Sequence, residues 1–502
     1  MKVLGISGSL RNARYGAGSE QLAQELQNLS SETALTEFLQ SQTRMCVEDV
    51  ISAGLNDDIP FDQVYENLQS RSGDKGLSNS EAALAAGLWG AIQEGADIEH
   101  VGLAPYFPMN GKKRHLKQLK KIIMESDAFL VSGPVYFGDR GSLIQAFIEF
   151  ISNDSDLKAH CFGKVYAGIA VGAKRNGGQE TQLIYQLIDM CNLNMLAVGN
   201  SHKTSAQYGG TVMAGDVGTA WSDQYGLETS IGTGKRLAQV ALSREACQSL
   251  SLKDRAKIGI WLVQDSSDHR GLAKINEWID EHGRNDVDYQ VLDLTHQEIY
   301  RCIACDLCPT HHAPADEYAC IIKTGKDFFV RHHADLVSVD AILLAAYSPI
   351  DRQDVTSVYQ QFMERSRYLR RGNYLLGDRL VAPLVITELN ANQNLHIRML
   401  TSLIRHHTIV HHPLIAVENE GEIINESFLL DQLDNFAREA IEITKSRLSR
   451  DPQHSDTWYN PIGYLISNER NQEDRRQGVL TKVFDEHQVV LTKEKSRRIA
   501  AK

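Results

Sequence analysis

Two strand-to-loop transitions constrain this chain more than any other feature. Met1-Lys2-Val3-Leu4-Gly5-Ile6 runs into Ser7-Gly8-Ser9-Leu10-Arg11, and Phe129-Leu130-Val131 runs into Ser132-Gly133-Pro134-Val135-Tyr136-Phe137-Gly138. Each is an apolar run ending in small residues. Helical spacing follows the second, at Leu143, Phe147 and Ile151. An open α/β sheet keeps its ligand pocket at such places, outside the carboxyl ends of its strands.

The pattern recurs once, weakly, along the chain. Ile258–Val263 repeats the opening strand, and Ile342-Leu343-Leu344 leading to Pro349 repeats the approach to Pro134, with Val358 and Phe362 on the helix that follows. Val165–Val171 and Leu380–Ile386 are the next strands of the two halves. Strands alternating with helices imply α/β architecture with parallel sheets covered on both faces. At 502 residues the chain also exceeds what one core fills. The expectation is two tandem doubly wound parallel sheets, a domain over 1–245 and another over 257–448, joined near 245–256. A polar C-terminal tail over 449–502 would pack on a partner or stay partly disordered. In the first half, residues 12–77 read as a mostly helical insertion between the first loop and its helix. That helix starts at Ser78-Asn79-Ser80 in preference to the rival start at Gly18-Ser19-Glu20, because those residues supply an N-cap and polar donors.

The candidate site residues follow from this frame. A helix N-terminus favours a phosphate, and Ser9, Arg11, Ser78, Asn79 and Ser80 add hydroxyl, amide and guanidinium donors. The plainer reading makes Ser9 a cap and Arg11 a solvated charge. Pro134, Val135, Tyr136, Phe137 and Gly138 would present backbone groups and aromatic rings to the polar edge of a flat ring system, against the alternative of core aromatics at a strand end. Gly172, Gly177 and Gly178 form a third loop after a strand, whose glycines permit close backbone approach. One pocket with a phosphate end and a ring end suits a flavin nucleotide. Gly232-Thr233-Gly234-Lys235 lacks the earlier glycine of a nucleotide loop and reads as the start of the helix closing the first domain.

In the second half, Gln264-Asp265-Ser266-Ser267-Asp268 replaces the first loop, and its carboxylates would repel a phosphate, so no flavin is expected there. Instead, Cys302, Cys305, Cys308 and Cys320 crowd one loop. The tight Cys-x2-Cys-x2-Cys spacing with a distant fourth thiol suits an iron–sulfur cubane; zinc on the same thiolates, or free cysteines, are the alternatives. The scattered Cys46, Cys161, Cys191 and Cys247 read as ordinary buried thiols. Four His-His pairs, among them His406-His407, receive no role. The net charge of −12 argues against a nucleic-acid partner. No apolar run is long enough to span a bilayer, and the N-terminus enters a strand with no signal peptide, so the cytoplasm is the expected location.

On these residues, in this order and spacing, the chain resembles the NADPH-dependent FMN reductase family of flavodoxin-like proteins. Its second half is similar to the iron–sulfur flavoproteins. The resemblance implies flavodoxin-like sheets, FMN on the first, and an oxidoreductase that takes a hydride from NAD(P)H and passes electrons to a quinone, flavin, metal or protein acceptor. It further implies a [4Fe-4S] cluster on the cysteine loop and assembly as a homo-oligomer. The competing reading is a non-catalytic electron-transfer or scaffold subunit that binds a partner through the second domain and tail.

Overall fold

The computed structural model describes the chain except for residues 11–13, 15, 56–57, 70–75, 109–112, 203, 205–206, 266–268, 306–317, 349–352, 372–373, 390, 392–393, 451–488, 490–491 and 502. It divides into two compact units, the first over Met1–Leu242 and the second over the described residues from Ser243 onward. Arg11, Cys308, Asp268 and Pro349 fall outside the described residues.

The first unit is a mixed α/β fold. Its strands are β1 (Lys2–Ser7), β2 (Asp97–Gly102), β3 (Ala128–Tyr136), β4 (Asp139–Arg140), β5 (Val165–Gly172), β6 (Leu196–Val198) and β7 (Gly210–Met213). The sheet runs β2–β1–β3–β5, all parallel, with β6 beside the start of β5 and β7 beside its end. Taking β6 and β7 as one interrupted strand gives the order 2-1-3-4-5 of a doubly wound sheet. The sequence explains the burial. Val3, Leu4 and Ile6 of β1 and all eight residues of β5 are buried, as an apolar run covered on both faces requires.

Helices α1 (Ala17–Gln27), α2 (Glu32–Val50) and α3 (Phe61–Gln69) lie in the chain between β1 and α4 (Asn79–Gln93). Then come α5 (Leu116–Met124), α6 (Ser142–Ser152), α7 (Ser155–Cys161), α8 (Gln179–Asn192) and α9 (Gln224–Ala246). The Gly232-Thr233-Gly234-Lys235 run, expected to start a helix, lies inside α9. Its glycine serves packing: a Cβ at Gly234 would fall 1.7 Å from the Gly87 carbonyl of α4, and one at Gly90 2.3 Å from the Ile231 carbonyl. The two helices therefore meet backbone on backbone.

The second unit contains β8 (Leu250–Leu252), β9 (Ala256–Val263), β10 (Val287–Asp293), β11 (Ala341–Ser348), β12 (Leu380–Glu388), β13 (Ile409–Val410), β14 (Leu414–Asn419), β15 (Glu422–Ile423) and β16 (Ile499–Ala501). Helices α10 (Arg270–His282), α11 (Phe328–Ser338), α12 (Gln353–Arg365), α13 (Arg367–Arg370), α14 (Leu395–Leu403) and α15 (Glu426–Ser449) accompany them. The parallel order is β10–β9–β11–β12, with β13 beside the start of β12 and β14 beside its end. Pro383, which has no N–H to give, falls at the break between the residues of β12 that pair with β13 and those that pair with β14. Two details depart from the sequence reading. Residues 250–252, read as linker, form β8, and the end of the tail forms β16, which pairs with β8 in antiparallel register.

Candidate functional site at the carboxyl edge of the first sheet

Three segments of the first unit meet where the ends of β1 and β3 lie side by side. The Gly8 N–H donates to the Ser132 carbonyl at 2.8 Å, and the Ser132 hydroxyl donates to the Ser80 carbonyl at 2.8 Å. Ser132 thus ties the loop after β1, the first turn of α4 and the end of β3 together. Both glycines there are needed for space. A Cβ on Gly8 would lie 2.5 Å from the Ile144 side chain, and one on Gly133 would lie 2.3 Å from it. Ser9 is buried beside this junction. The N–H groups of Asn79 and Ser80 belong to the first turn of α4 and have no acceptor within the helix. A phosphate fits that kind of environment, with backbone N–H donors and the positive end of a buried helix.

Two expected side-chain donors are otherwise engaged. Ser78 is the N-cap of α4: its hydroxyl accepts from the Glu81 N–H at 3.3 Å, and the Ser78 N–H donates to the Glu81 carboxylate at 3.2 Å. The Asn79 amide donates to the Asp216 carbonyl at 2.8 Å and accepts from the Ala220 N–H at 3.1 Å. Ser78 and Asn79 therefore shape the cradle through the backbone, beside the hydroxyl-bearing Ser9 and Ser80. The capping box also reveals residues that the sequence reading passed over. Glu81 is fully buried and accepts from the Arg14 N–H at 2.7 Å, with His100 Nε2 at 3.4 Å. His100 Nδ1 in turn lies 3.0 Å from the Ser19 hydroxyl. This cluster fastens the segment leading into α1 to the head of α4. The Ser-x-x-Glu spacing at 78–81 is the sequence signal that would have exposed it.

The ring end of the expected pocket has a different form from the loop anticipated. Strand β3 continues through Pro134 and Val135 to Tyr136, then turns back at Phe137 and Gly138 into β4, with Tyr136 opposite Asp139. Phe137 (φ 52°) and Gly138 (φ 81°) both have positive φ, the backbone of a tight two-residue hairpin turn. The turn leaves Tyr136 half exposed, while Phe137 is fully exposed. The third loop meets this hairpin. At Gly178, with φ 101°, a Cβ would stand 3.0 Å from Gly138 Cα and 3.1 Å from Val135. Gln179 holds the loop by accepting from the Gly177 N–H at 2.8 Å and donating to the Lys174 carbonyl at 2.8 Å. It is also what a side chain at Gly172 would strike, at 2.6 Å. Pro134 to Gly138 and Gly172 to Gly178 thus form one rim.

The profile of the NADPH-dependent FMN reductase family matches residues 74–209, a span that contains the head of α4, the hairpin and the third loop. An iron-sulfur flavoprotein of Methanocaldococcus jannaschii is 30% identical over 161 residues, which cover 30% of this chain and 82% of that protein. The chain belongs to the NADPH-dependent FMN reductase family. Solved structures similar to parts of it include a WrbA-like flavodoxin from Agrobacterium tumefaciens, at 21% identity over 31% of this chain and 88% of that one, TM-score 0.23. A flavone reductase is similar at 14% identity over 49% of this chain and 64% of its own, TM-score 0.26.

The expected metal loop of this FMN reductase family member lies in the second unit. Cys302 and Cys305 are half-buried and Cys320 is buried, and the three line one small cavity together with Arg365, Arg367 and Tyr368. Arg365 donates to Cys320 Sγ at 3.2 Å and to Asp327 at 2.7 Å. Among the described residues no three ligand groups are arranged to hold a metal ion. No helix among the described residues is long and apolar enough to cross a membrane.

Proposed function

We propose that the first unit is an FMN-dependent NAD(P)H oxidoreductase domain, followed by a second sheet of the same flavodoxin-like order. The observation that carries the reading is the junction at Ser132, which joins the loop after β1, the head of α4 and the end of β3. The backbone N–H groups of Asn79 and Ser80, with Ser9 and Ser80 hydroxyls, would hold the FMN phosphate, and Arg11 joins this set as a proposed donor. The rim of Pro134, Val135, Tyr136, Phe137 and Gly138 with Gly172, Gly177 and Gly178 would hold the ring. When bound, FMN supplies two-electron chemistry from NAD(P)H to an acceptor, a quinone, flavin, metal ion or protein. The chain contributes placement. Ser132 fixes the spacing between phosphate and ring ends, the α4 dipole offsets the phosphate charge, and the exposed hairpin aromatics cover one side of the ring. No side chain has to move a proton for the hydride to arrive, and none is assigned that role.

Part of the same proposal is that Cys302, Cys305, Cys308 and Cys320 ligate an iron–sulfur cluster, with zinc as the rival metal. Its support is the common cavity of three of these thiols. Protein purified without oxygen and analysed by visible absorption, with iron, sulfide and zinc content, tests both parts. A flavin spectrum bleached rapidly by NADPH or NADH is the expected result. A bound flavin that NAD(P)H leaves oxidised would overturn the enzyme reading in favour of an electron-transfer subunit.

A further inference from the structure

The second unit contains a cavity of about 490 Å³ that the flavin reading does not use. Arg367 and Arg370 of α13, Arg405 and His406 line it, with Cys302 at one edge and Glu364 as the one carboxylate among the described lining residues. Three guanidinium groups against one carboxylate are notable in a chain of net charge −12. The volume lies in the range of small-molecule sites. Arginines present rigid forks of donors that match the oxygens of a phosphate from several sides at once.

His406 adds a second, independent pointer. It is 4% exposed, it lines the cavity, and its Nδ1 has no hydrogen-bond partner among the described residues. The orientation of its proton follows from its neighbour. Ser366 donates its hydroxyl to the Met363 carbonyl at 2.8 Å, so at 3.3 Å from His406 Nε2 it accepts, and Nε2 carries the hydrogen. Nδ1 is then a bare acceptor. Burial, with the nearby charge of Arg370, pushes His406 down to about 3, so the ring stays neutral. A buried acceptor beside a cluster of cations calls for a ligand with both an anionic group and a hydroxyl donor.

We propose that this cavity binds a hydroxyl-bearing phosphate ester, its phosphate held by Arg367, Arg370 and Arg405 and a hydroxyl donated to His406 Nδ1. Sugar phosphates and nucleotides share that chemistry. The site lies wholly in the second unit and stands apart from the flavin reading.

The test is calorimetric titration of the full chain, saturated with FMN, using ribose 5-phosphate and ADP as probes and pyrophosphate and citrate as controls. One of the two esters is expected to bind once per chain, more tightly than pyrophosphate or citrate. Arg367→Gln and Arg405→Gln, at half-exposed and exposed positions, are expected to weaken it about tenfold or more each. His406→Gln should narrow the gap between the ester and pyrophosphate. Since His406 is buried, circular dichroism of that variant accompanies the titration, and the two arginine variants alone decide the matter if it misfolds. Binding that persists unchanged in both arginine variants overturns the proposal. Failure of both esters to bind at millimolar concentration, or citrate binding as tightly as the ester, also overturns it.

Discussion

The two units repeat one strand order, yet the carboxyl edges of their sheets carry opposite chemistry. In the first unit β1 ends at Ser7, its pairing with β3 ends at Ser132, and β5 ends at Gly172, each at or before small residues. At the same edge of the second unit lie Gln264 after β9, Asp293 of β10, Ser348 of β11, Glu388 of β12 and Glu418 of β14. Gln264 is buried, accepts from the Leu272 N–H of α10 at 3.3 Å and donates to Asp293 at 3.2 Å. Its amide thus occupies the head of the helix where a phosphate would be held in the first unit. Glu418 is buried and paired with Arg270 at 2.9 Å, with the Tyr347 hydroxyl at 3.4 Å. A side-chain network closes this edge. The same scaffold therefore carries the proposed phosphate cradle in one unit and an acidic, side-chain-bonded edge in the other, while three arginines of the second unit, Arg367, Arg370 and Arg405, line a cavity of their own.

The largest effect that sharpens this contrast is expected at Asp340. Its carboxylate receives Arg447 at 2.9 Å and Arg498 at 2.8 Å, all three groups almost wholly buried. Burial pushes the carboxyl up, but the hydrogen bonds and charges of Arg498 and Arg447 outweigh it and hold Asp340 below the ordinary carboxylate range. Asp340→Ala removes the most deeply buried counter-charge of two buried cations, which keep Glu494 and, for Arg498, Asp254 as partners, a loss of about 3 kcal/mol. Denaturant unfolding should show the second unit melting earlier while flavin absorbance is retained. Loss of both together would break the separation between the units. The pH dependence has a definite sign. The contribution of Asp340 is full above about pH 3.9, the ordinary value, and is lost as pH falls through its lowered folded value.

Next in size is the rim of the first unit. Gly178 has φ 101° and sits against Gly138 and Val135, so Gly178→Val combines backbone strain with a clash against the hairpin. A cost of about 2 kcal/mol, borne by the ring end of the pocket, corresponds to a flavin affinity lower by more than about tenfold. Gln264→Gly at the corresponding edge of the second unit should leave flavin content unchanged. Fluorescence titration with FMN checks both. Equal effects of the two substitutions would contradict the assignment of the flavin to the first unit.

Much of this was legible in the sequence, and what was missed has physical causes. Apolar runs such as 165–171 and 380–386 marked buried parallel strands because both faces are covered. Ser78-Asn79-Ser80 marked a helix start because capping chemistry is local. What the residues could not announce was the competition for the same donors. Asn79 is as suitable for a phosphate as for the Asp216 and Ala220 backbone, and only the fold brings that loop to it. Phe137 and Gly138 are adjacent in a way that fits a loop or a hairpin equally, until Asp139 pairs back onto Tyr136. The histidine pairs looked alike; among their described members, His406 lines a cavity with one nitrogen unanswered.

The smallest expected effect on stability is also the most discriminating for the ring end. Phe137 holds a left-handed backbone conformation, which costs a residue with a side chain about 1–2 kcal/mol relative to glycine. Its side chain is fully exposed, so removing it forfeits no packing within the chain. Glycine returns about 0.5–1 kcal/mol of that gain through its freer unfolded state. Phe137→Gly should therefore change the unfolding free energy by about 0–1.5 kcal/mol, in the stabilising direction. Had the aromatic ring been retained only for the fold, nothing else would change. If it covers a bound ring, flavin affinity falls and NAD(P)H bleaching of the flavin slows while stability holds or rises. A fold-neutral variant with unaltered flavin binding would remove Phe137 from the site and leave Tyr136 as the only aromatic candidate on the hairpin.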